Sequence, residues 1–161
     1  MKITIQEKFE TLCRITRSFY FAWRETALKL CPQHPPREVI NKFWEIIARQ
    51  TAESYLKKIN PKKPLSKQIA ESMVWSSVNM GEDARVVKGK NENEYFVEHR
   101  HCPWFDWHRR LGLLSEDQPG CDTWFFKTVE LLNQKLGTKV KIETQKSLPC
   151  GGDCCRRRIW V

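Results

Sequence analysis

Near residue 80 the chain changes its hydrophobic period, and that switch constrains the fold more than any other feature. Upstream, apolar residues recur at the spacing of a helix face. From Ile5 to Leu30 the stripe is Phe9, Leu12, Cys13, Ile15, Phe19, Tyr20, Trp23, Ala27 and Leu30, with a break expected at Thr16-Arg17-Ser18. Cys31-Pro32-Gln33-His34-Pro35-Pro36 ends that helix, because proline lacks a donor and restricts its predecessor. A second helix is predicted from Arg37 to Lys58, with Val39, Ile40, Phe43, Trp44, Ile47, Thr51 and Tyr55 on one face and Asn60-Pro61 as its end. A third runs from Leu65 to Val78, with Ile69, Met73 and Val74 inward and Gly81 beyond its end.

Downstream the segments shorten and alternate. Asp83 to Lys88 and Glu94 to His101 read as a hairpin across a polar turn. Pro103 suits the first position of a short helix reaching Leu111, with Gly112 as its cap. Asp122 or Thr123 can cap a further helix that carries Trp124, Phe125, Val129, Leu132 and Leu136 and stops at Gly137. Lys139 to Gln145 alternates with period two. A turn through Pro149-Cys150-Gly151-Gly152-Asp153 leads to a last strand ending Ile159-Trp160-Val161. At 161 residues the chain reads as one domain, 1–161, mainly helical over 1–80 and mixed over 81–161. The expected class is α+β: a helical N-terminal half packed on a small antiparallel sheet.

No apolar run approaches the roughly 18 residues needed to cross a bilayer. Glu7 and Glu10 come too early for a secretory leader, so a cytoplasmic location is expected, with no membrane partner. Seven cysteines without an export signal point to metal binding, catalysis or burial rather than disulfides, with Cys13 and Cys31 read as inert buried thiols. The net charge of +9 raises nucleic acid as a partner. The 28 basic residues are scattered among 19 acids, however, and strand alternation splits Arg156, Arg157 and Arg158 between two faces. Solvated basic surface and an anionic small-molecule ligand account better for the surplus; self-association into a homo-oligomer is left open.

Side chains able to carry chemistry gather in the last third of the chain. His99 and His101 stand at i and i+2 on a strand, projecting two imidazoles one way, which suits half of a metal chelate or a catalytic base. Cys102 sits where that strand hands over to a helix opened by Pro103. Free N–H groups and the positive end of the helix dipole favour a thiolate there, making it the leading nucleophile or soft ligand. Cys121 is expected at a similar junction, followed by Asp122. Cys150 and Cys154 are spaced like a zinc knuckle, but a zinc site (or one for another divalent metal) needs further ligands from Cys102, Cys121, His99 or His101. Gly151-Gly152-Asp153 is equally ordinary turn chemistry. His108, between Trp107 and Arg109, reads as an exposed helix position. No phosphate loop, dinucleotide fingerprint or nucleophile elbow is present.

Glu98 through Cys102, a short helix, Cys121-Asp122, a second helix, a strand and the ending Leu148-Pro149-Cys150-Gly151-Gly152-Asp153-Cys154-Cys155-Arg156-Arg157-Arg158-Ile159-Trp160 together resemble the L-2-amino-thiazoline-4-carboxylic acid hydrolase family. They equally resemble the broader 4-vinyl reductase-like group, whose members often end in a G-D-x-C-x-F hairpin. The likeness spans about residues 70–161, and Arg156 to Arg158 replace the aromatic usual after the last Cys. The resemblance implies a compact domain with a ligand pocket between helices and sheet. It also implies a small-molecule hydrolase that opens a cyclic thio-amidine at a C–N bond. On that reading Cys102 is nucleophile or ligand, His99 or His101 general base and Asp122 the orienting carboxylate. Arg100 or Arg157 grips a substrate carboxylate, and Trp104 also contacts substrate. A non-catalytic ligand- or metal-sensing domain is the alternative, and nucleic-acid binding ranks below both.

Overall fold

The computed structural model describes residues 2–161, and among them five α-helices, one 3-10 turn and four strands follow one another. Helix α1 (Ile5–Leu30) is followed by α2 (Pro36–Leu56) and α3 (Leu65–Asn79). Then come the hairpin β1 (Asp83–Lys88) and β2 (Glu94–His101), α4 (Pro103–Arg110), α5 (Leu114–Leu136), β3 (Lys141–Lys146), the 3-10 turn Leu148–Cys150 and β4 (Cys155–Trp160). The strands form one antiparallel sheet in the order β1-β2-β4-β3. This is the α+β arrangement expected, with a helical N-terminal half on an antiparallel sheet. Among the described residues no helix is long and apolar enough to cross a membrane.

Thr4 and Glu7 form a reciprocal capping box that starts α1. The helix continues through Thr16-Arg17-Ser18, where a break was expected: Thr16 satisfies its hydroxyl on the Leu12 carbonyl at 2.9 Å without leaving the helix, and Arg17 turns inward to donate to the Met80 carbonyl at 2.8 Å. Its inward face is narrow: Cys13, Arg17, Tyr20 and Phe21 are buried. Tyr20 meets Trp44 and Trp104 at ring centroid distances of 5.3 and 5.5 Å, and Phe21 stacks on Trp107 at 5.4 Å. Aromatic pairs of this kind add about 0.5–1.5 kcal/mol each beyond the area they bury. Arg24 clasps Glu116 with two hydrogen bonds of 2.6 and 2.5 Å, tying α1 to the start of α5.

The main core lies between α2, α3, α5 and the inner face of the sheet. Ala52 and Tyr55 from α2 meet Ile69 and Met73 from α3, Phe125, Val129 and Leu132 from α5, and Val97 and Ile159 from the sheet. Fully burying a large apolar side chain of this kind is worth about 1.5–3 kcal/mol. Strand alternation puts Tyr95, Val97 and His99 of β2, and Cys155, Arg157 and Ile159 of β4, on the inner face. Arg156 and Arg158 project outward, lying over Phe96 and Trp160 and pairing with Glu98 and with Glu94 and Glu143. The three consecutive arginines are thus split between faces, as period two requires.

Helix α5 corrects one sequence expectation. It starts at Leu114, well before Asp122, and carries Pro119 inside it. Pro119-Gly120 reads locally as a turn. Gly120 is instead required by packing, because a Cβ there would stand 2.7 Å from Nε1 and 2.8 Å from Cδ1 of Trp44. Consequently Cys121 lies inside a helix and receives none of the N-terminal stabilisation expected for its thiolate.

Candidate functional site

Four helices each turn a short stripe toward a common hollow of about 360 Å³. From α2 come Trp44, Ile47 and Thr51, at i, i+3 and i+7; from α3, Trp75, Ser76, Ser77 and Asn79. Met80 and Glu82 follow in the connection to β1. Cys102, Trp104 and His108 come from the start and one face of α4, and Asp117, Cys121, Trp124 and Phe125 repeat along α5 at helical spacing. The walls are mostly apolar and include four tryptophans. Trp124 donates its indole N–H to Thr51 Oγ1 at 3.1 Å, which fixes one of those walls.

Two titratable groups of the wall, His108 and Asp117, stand side by side. His108, 3% exposed, has its Nδ1 2.9 Å from the Trp104 carbonyl oxygen one helical turn back. In the neutral ring that acceptor holds the proton on Nδ1, so Nε2 carries the lone pair. Asp117, 6% exposed, brings Oδ2 to 3.8 Å from the same Nδ1. Oδ2 is buried with no hydrogen-bond partner among the described residues. Burial pushes the Asp117 carboxyl above its usual range, Glu82 adding to the rise, while His108 and Arg157 pull the other way. A buried carboxyl oxygen left without a partner is rare in a folded protein and sets this part of the wall apart.

Both thiols on the wall are held in their protonated form. Burial, then the charge of Glu82, raises Cys102 well above the usual thiol range. Cys121 opens onto the hollow yet lies deep in the protein, and burial pushes its thiol up to about 12. Their helical context differs: Cys102 caps α4, and Cys121 is one turn after Asp117. For Cys102 the desolvation cost outweighs the favourable helix terminus.

The residues singled out from sequence fall into several environments. Cys102, Cys121 and Trp104 line the hollow. His99 lies just behind it, with Nε2 2.9 Å from Ser77 Oγ and 3.1 Å from Glu82 Oε2, two groups that do line it. His101, at the end of β2, is 63% exposed in its side chain and meets Asp106 at 2.9 Å on the surface. Arg100 is exposed and lies 3.5 Å from Glu98. Asp122 faces the sheet, accepting from Thr144 Oγ1 at 2.6 Å and from Arg157 Nη2 at 3.2 Å. Arg157, 1% exposed, spreads over the Phe125 ring at 4.0 Å from its centroid, on the sheet side of the cavity wall. Cys150 is exposed on the 3-10 turn, whereas Cys154 is buried. Among the described residues no group of three or more His, Cys, Asp and Glu side chains is arranged to hold a metal ion. His99, His101, Cys102, Cys121, Cys150 and Cys154 therefore do not meet as one ligand set.

Glu82, His108 and Asp117 were not recognised from sequence. His108 is buried, contrary to the exposed position expected, and the available signal was its i, i+4 spacing from Trp104 on the short helix. Asp117 stands one turn before Cys121, a relation visible only if α5 is taken back through Pro119-Gly120 to Leu114.

A model of the L-2-amino-thiazoline-4-carboxylic acid hydrolase family matches residues 13–159. No curated protein matches the chain. Two solved structures are similar in fold. One is a trafficking protein particle complex subunit 3 from Naegleria fowleri, covalently bound to palmitic acid, at 16% identity and a TM-score of 0.56, covering 94% of this chain and 95% of that one. The other is the phenol-responsive sensory domain of the transcription activator PoxR with phenol, at 12% identity and a TM-score of 0.60, covering 89% of this chain and 73% of that one.

Proposed function

The chain belongs to the L-2-amino-thiazoline-4-carboxylic acid hydrolase family, and from that premise we propose that its tryptophan-lined hollow hydrolyses a cyclic thio-amidine, opening the ring at a C–N bond. The observation that carries this reading is the pairing of two wall residues, Asp117 and His108, whose Oδ2 and Nδ1 stand 3.8 Å apart with that oxygen otherwise unpartnered.

The amidine plane lies among the indole rings, and its ring nitrogen meets Asp117. A carboxyl whose proton is held more tightly through burial can act as a general acid. Asp117 gives its proton to that nitrogen, which makes the amidine carbon electrophilic, and the carboxylate so formed pairs with the amidinium. His108 Nε2 takes a proton from water as the water oxygen bonds to that carbon. The tetrahedral adduct collapses with cleavage of the C–N bond. The electron pair leaves on the ring nitrogen, which takes the proton from His108. The adduct's hydroxyl gives its proton to the Asp117 carboxylate as the carbonyl forms, so that one water is consumed and both side chains are restored.

Water rather than Cys102 is the nucleophile here, because a thiol raised by burial and Glu82 has little thiolate to offer near neutral pH. Cys102 and Cys121 serve as compact walls beside the reacting atoms. His99 orients Glu82 and Ser77 from behind.

A second reading, ligand capture without turnover, is favoured by how apolar the walls are. Proteins of this fold described with palmitic acid and with phenol support small-molecule binding. Incubating the purified chain with 2-amino-thiazoline compounds and following the ring-opened product by mass spectrometry separates the two. Product formed in proportion to protein supports the hydrolase, whereas saturable binding with no product leaves only capture.

A further inference from the structure

Arg157 is the largest fully buried side chain, 1% exposed, yet its guanidinium is short of partners. Of its donors only Nη2 is used, meeting Asp122 Oδ1 at 3.2 Å. Nε and Nη1 are buried with no hydrogen-bond partner among the described residues. A cation taken out of water is normally ringed by acceptors, since each bare donor has given up its hydration for nothing. Asp122 is itself shared with Thr144, which donates to the same oxygen at 2.6 Å. The ion pair with Asp122 therefore places the guanidinium without using it up.

A single ring separates that guanidinium from the hollow. Phe125 lines the hollow, and the guanidinium carbon of Arg157 stands 4.0 Å from its ring centroid on the sheet side. The charge is felt across this wall. Burial raises the Cys121 thiol and the Asp117 carboxyl, and Arg157 pulls each back down, with His108 acting beside it on Asp117. Asp117, Cys121 and Phe125 stand at i, i+4 and i+8 on α5, so Arg157 backs one helical stripe of the wall. No lysine or arginine lines the hollow itself, whereas Glu82 and Asp117 do, so an anion that stays among the indoles meets no cation. Arg17 also keeps an unpartnered Nε, but its Nη1 is held by the Met80 carbonyl at 2.8 Å, and it is not among the charges acting on Asp117. Arg24 is forked onto Glu116, and Lys58 covers Trp75 in a separate groove.

In a 2-amino-thiazoline-4-carboxylate the carboxylate stands on the carbon bonded to the ring nitrogen. With that nitrogen on Asp117, the group that holds the carboxylate must back the same stripe of α5. We propose that Arg157 is that anchor: the Phe125 ring turns aside into the hollow, and the guanidinium takes the substrate carboxylate on the donors that Asp122 leaves free. The inference rests on the hydrolase reading for the position of the ring, and on the buried, unpartnered guanidinium for the anchor. A charge-assisted contact made away from water is stronger than the same contact at the surface. Phe125 then sets selectivity. Its ring stays over Arg157 for an uncharged ligand and gives way to a carboxylate, whose pairing offsets the lost cation–π contact.

The test is calorimetric titration of the full chain with 2-aminothiazoline and with 2-amino-thiazoline-4-carboxylate, turnover being followed in the same samples. The wild type should bind the carboxylate about tenfold or more tighter than its uncharged parent. Arg157→Gln should remove that advantage while affinity for the parent stays within about twofold. Phe125→Leu keeps the guanidinium, removes the ring over it and should widen the advantage; it decides the matter if Arg157→Gln fails to fold. Equal binding of the two ligands by the wild type, or no binding of either, overturns the proposal. So does an advantage that survives Arg157→Gln or fails to widen in Phe125→Leu. The hydrolase reading fails separately: an Arg157-dependent preference without ring opening keeps the anchor and removes hydrolysis. Ring opening of both ligands with no dependence on Arg157 keeps the hydrolase and removes the anchor.

Discussion

Asp117 Oδ2 stands 3.8 Å from His108 Nδ1, but that nitrogen's proton is already committed to the Trp104 carbonyl at 2.9 Å. The two side chains are therefore neighbours without being a closed ion pair. The carboxyl stays unpartnered inside the protein, a state that costs stability and is retained where function uses it.

That cost can be read directly. Asp117 is an acid whose pKa is raised in the folded chain by burial. The folded state thus binds its proton more tightly than the unfolded state does. The stability this confers is full below the unfolded value and is lost as pH rises through the folded one. Near neutral pH Asp117→Asn should therefore stabilise the protein, by on the order of 1 kcal/mol, with the gain shrinking on acidification. Denaturant melts of both proteins at several pH values check it. The variant should at the same time lose hydrolysis.

Cysteine reactivity should follow burial rather than position at a helix start. Cys102 and Cys121 are held protonated, and Cys150 is exposed. Iodoacetamide at neutral pH should modify Cys150 long before either wall thiol, as site-resolved mass spectrometry will report. Rapid selective labelling of Cys102 would restore it as a nucleophile.

Gly120 sets the depth of the hollow through Trp44. A methyl group there meets the indole at 2.7 Å, so Gly120→Ala must displace a cavity wall. The expected cost is about 1–3 kcal/mol, the usual range for overpacking. Loss of affinity for a 2-amino-thiazoline ligand should exceed that seen with an alanine substitution on the exposed face of α5.

The buried Arg157 and the partly exposed Asp122 form an ion pair between β4 and α5. Arg157→Leu leaves Asp122 with only Thr144 as a partner and should destabilise by about 1–3 kcal/mol, whereas Arg157→Leu with Asp122→Leu should recover part of that loss. Chemical denaturation of the single and double variants tests the coupling.

Much of this architecture was legible in the residues. Apolar spacing located α1, α2 and α3, and alternation located the β1–β2 hairpin and split Arg157 from Arg156 and Arg158. Cys102 and Trp104 were recognised, and both line the hollow. What escaped was set by tertiary packing. Pro119-Gly120 has the local chemistry of a turn, but the Trp44 ring needs a bare backbone beneath it, so α5 runs through both. That hid Asp117. His99 and His101 share a strand face by period two, yet the strand ends at His101, leaving one imidazole in the core and the other in solvent. His108, between Trp107 and Arg109 in sequence, is buried against Tyr20 and Phe21 of a distant helix.

The most direct measurement is steady-state ring opening of an amidine heterocycle by the wild-type chain and by His108→Gln, with binding followed in parallel. Removing the base should lower kcat by about 100-fold or more while changing affinity only slightly. Ring opening that proceeds at the wild-type rate in the variant would contradict a hydrolytic centre built on His108 and Asp117.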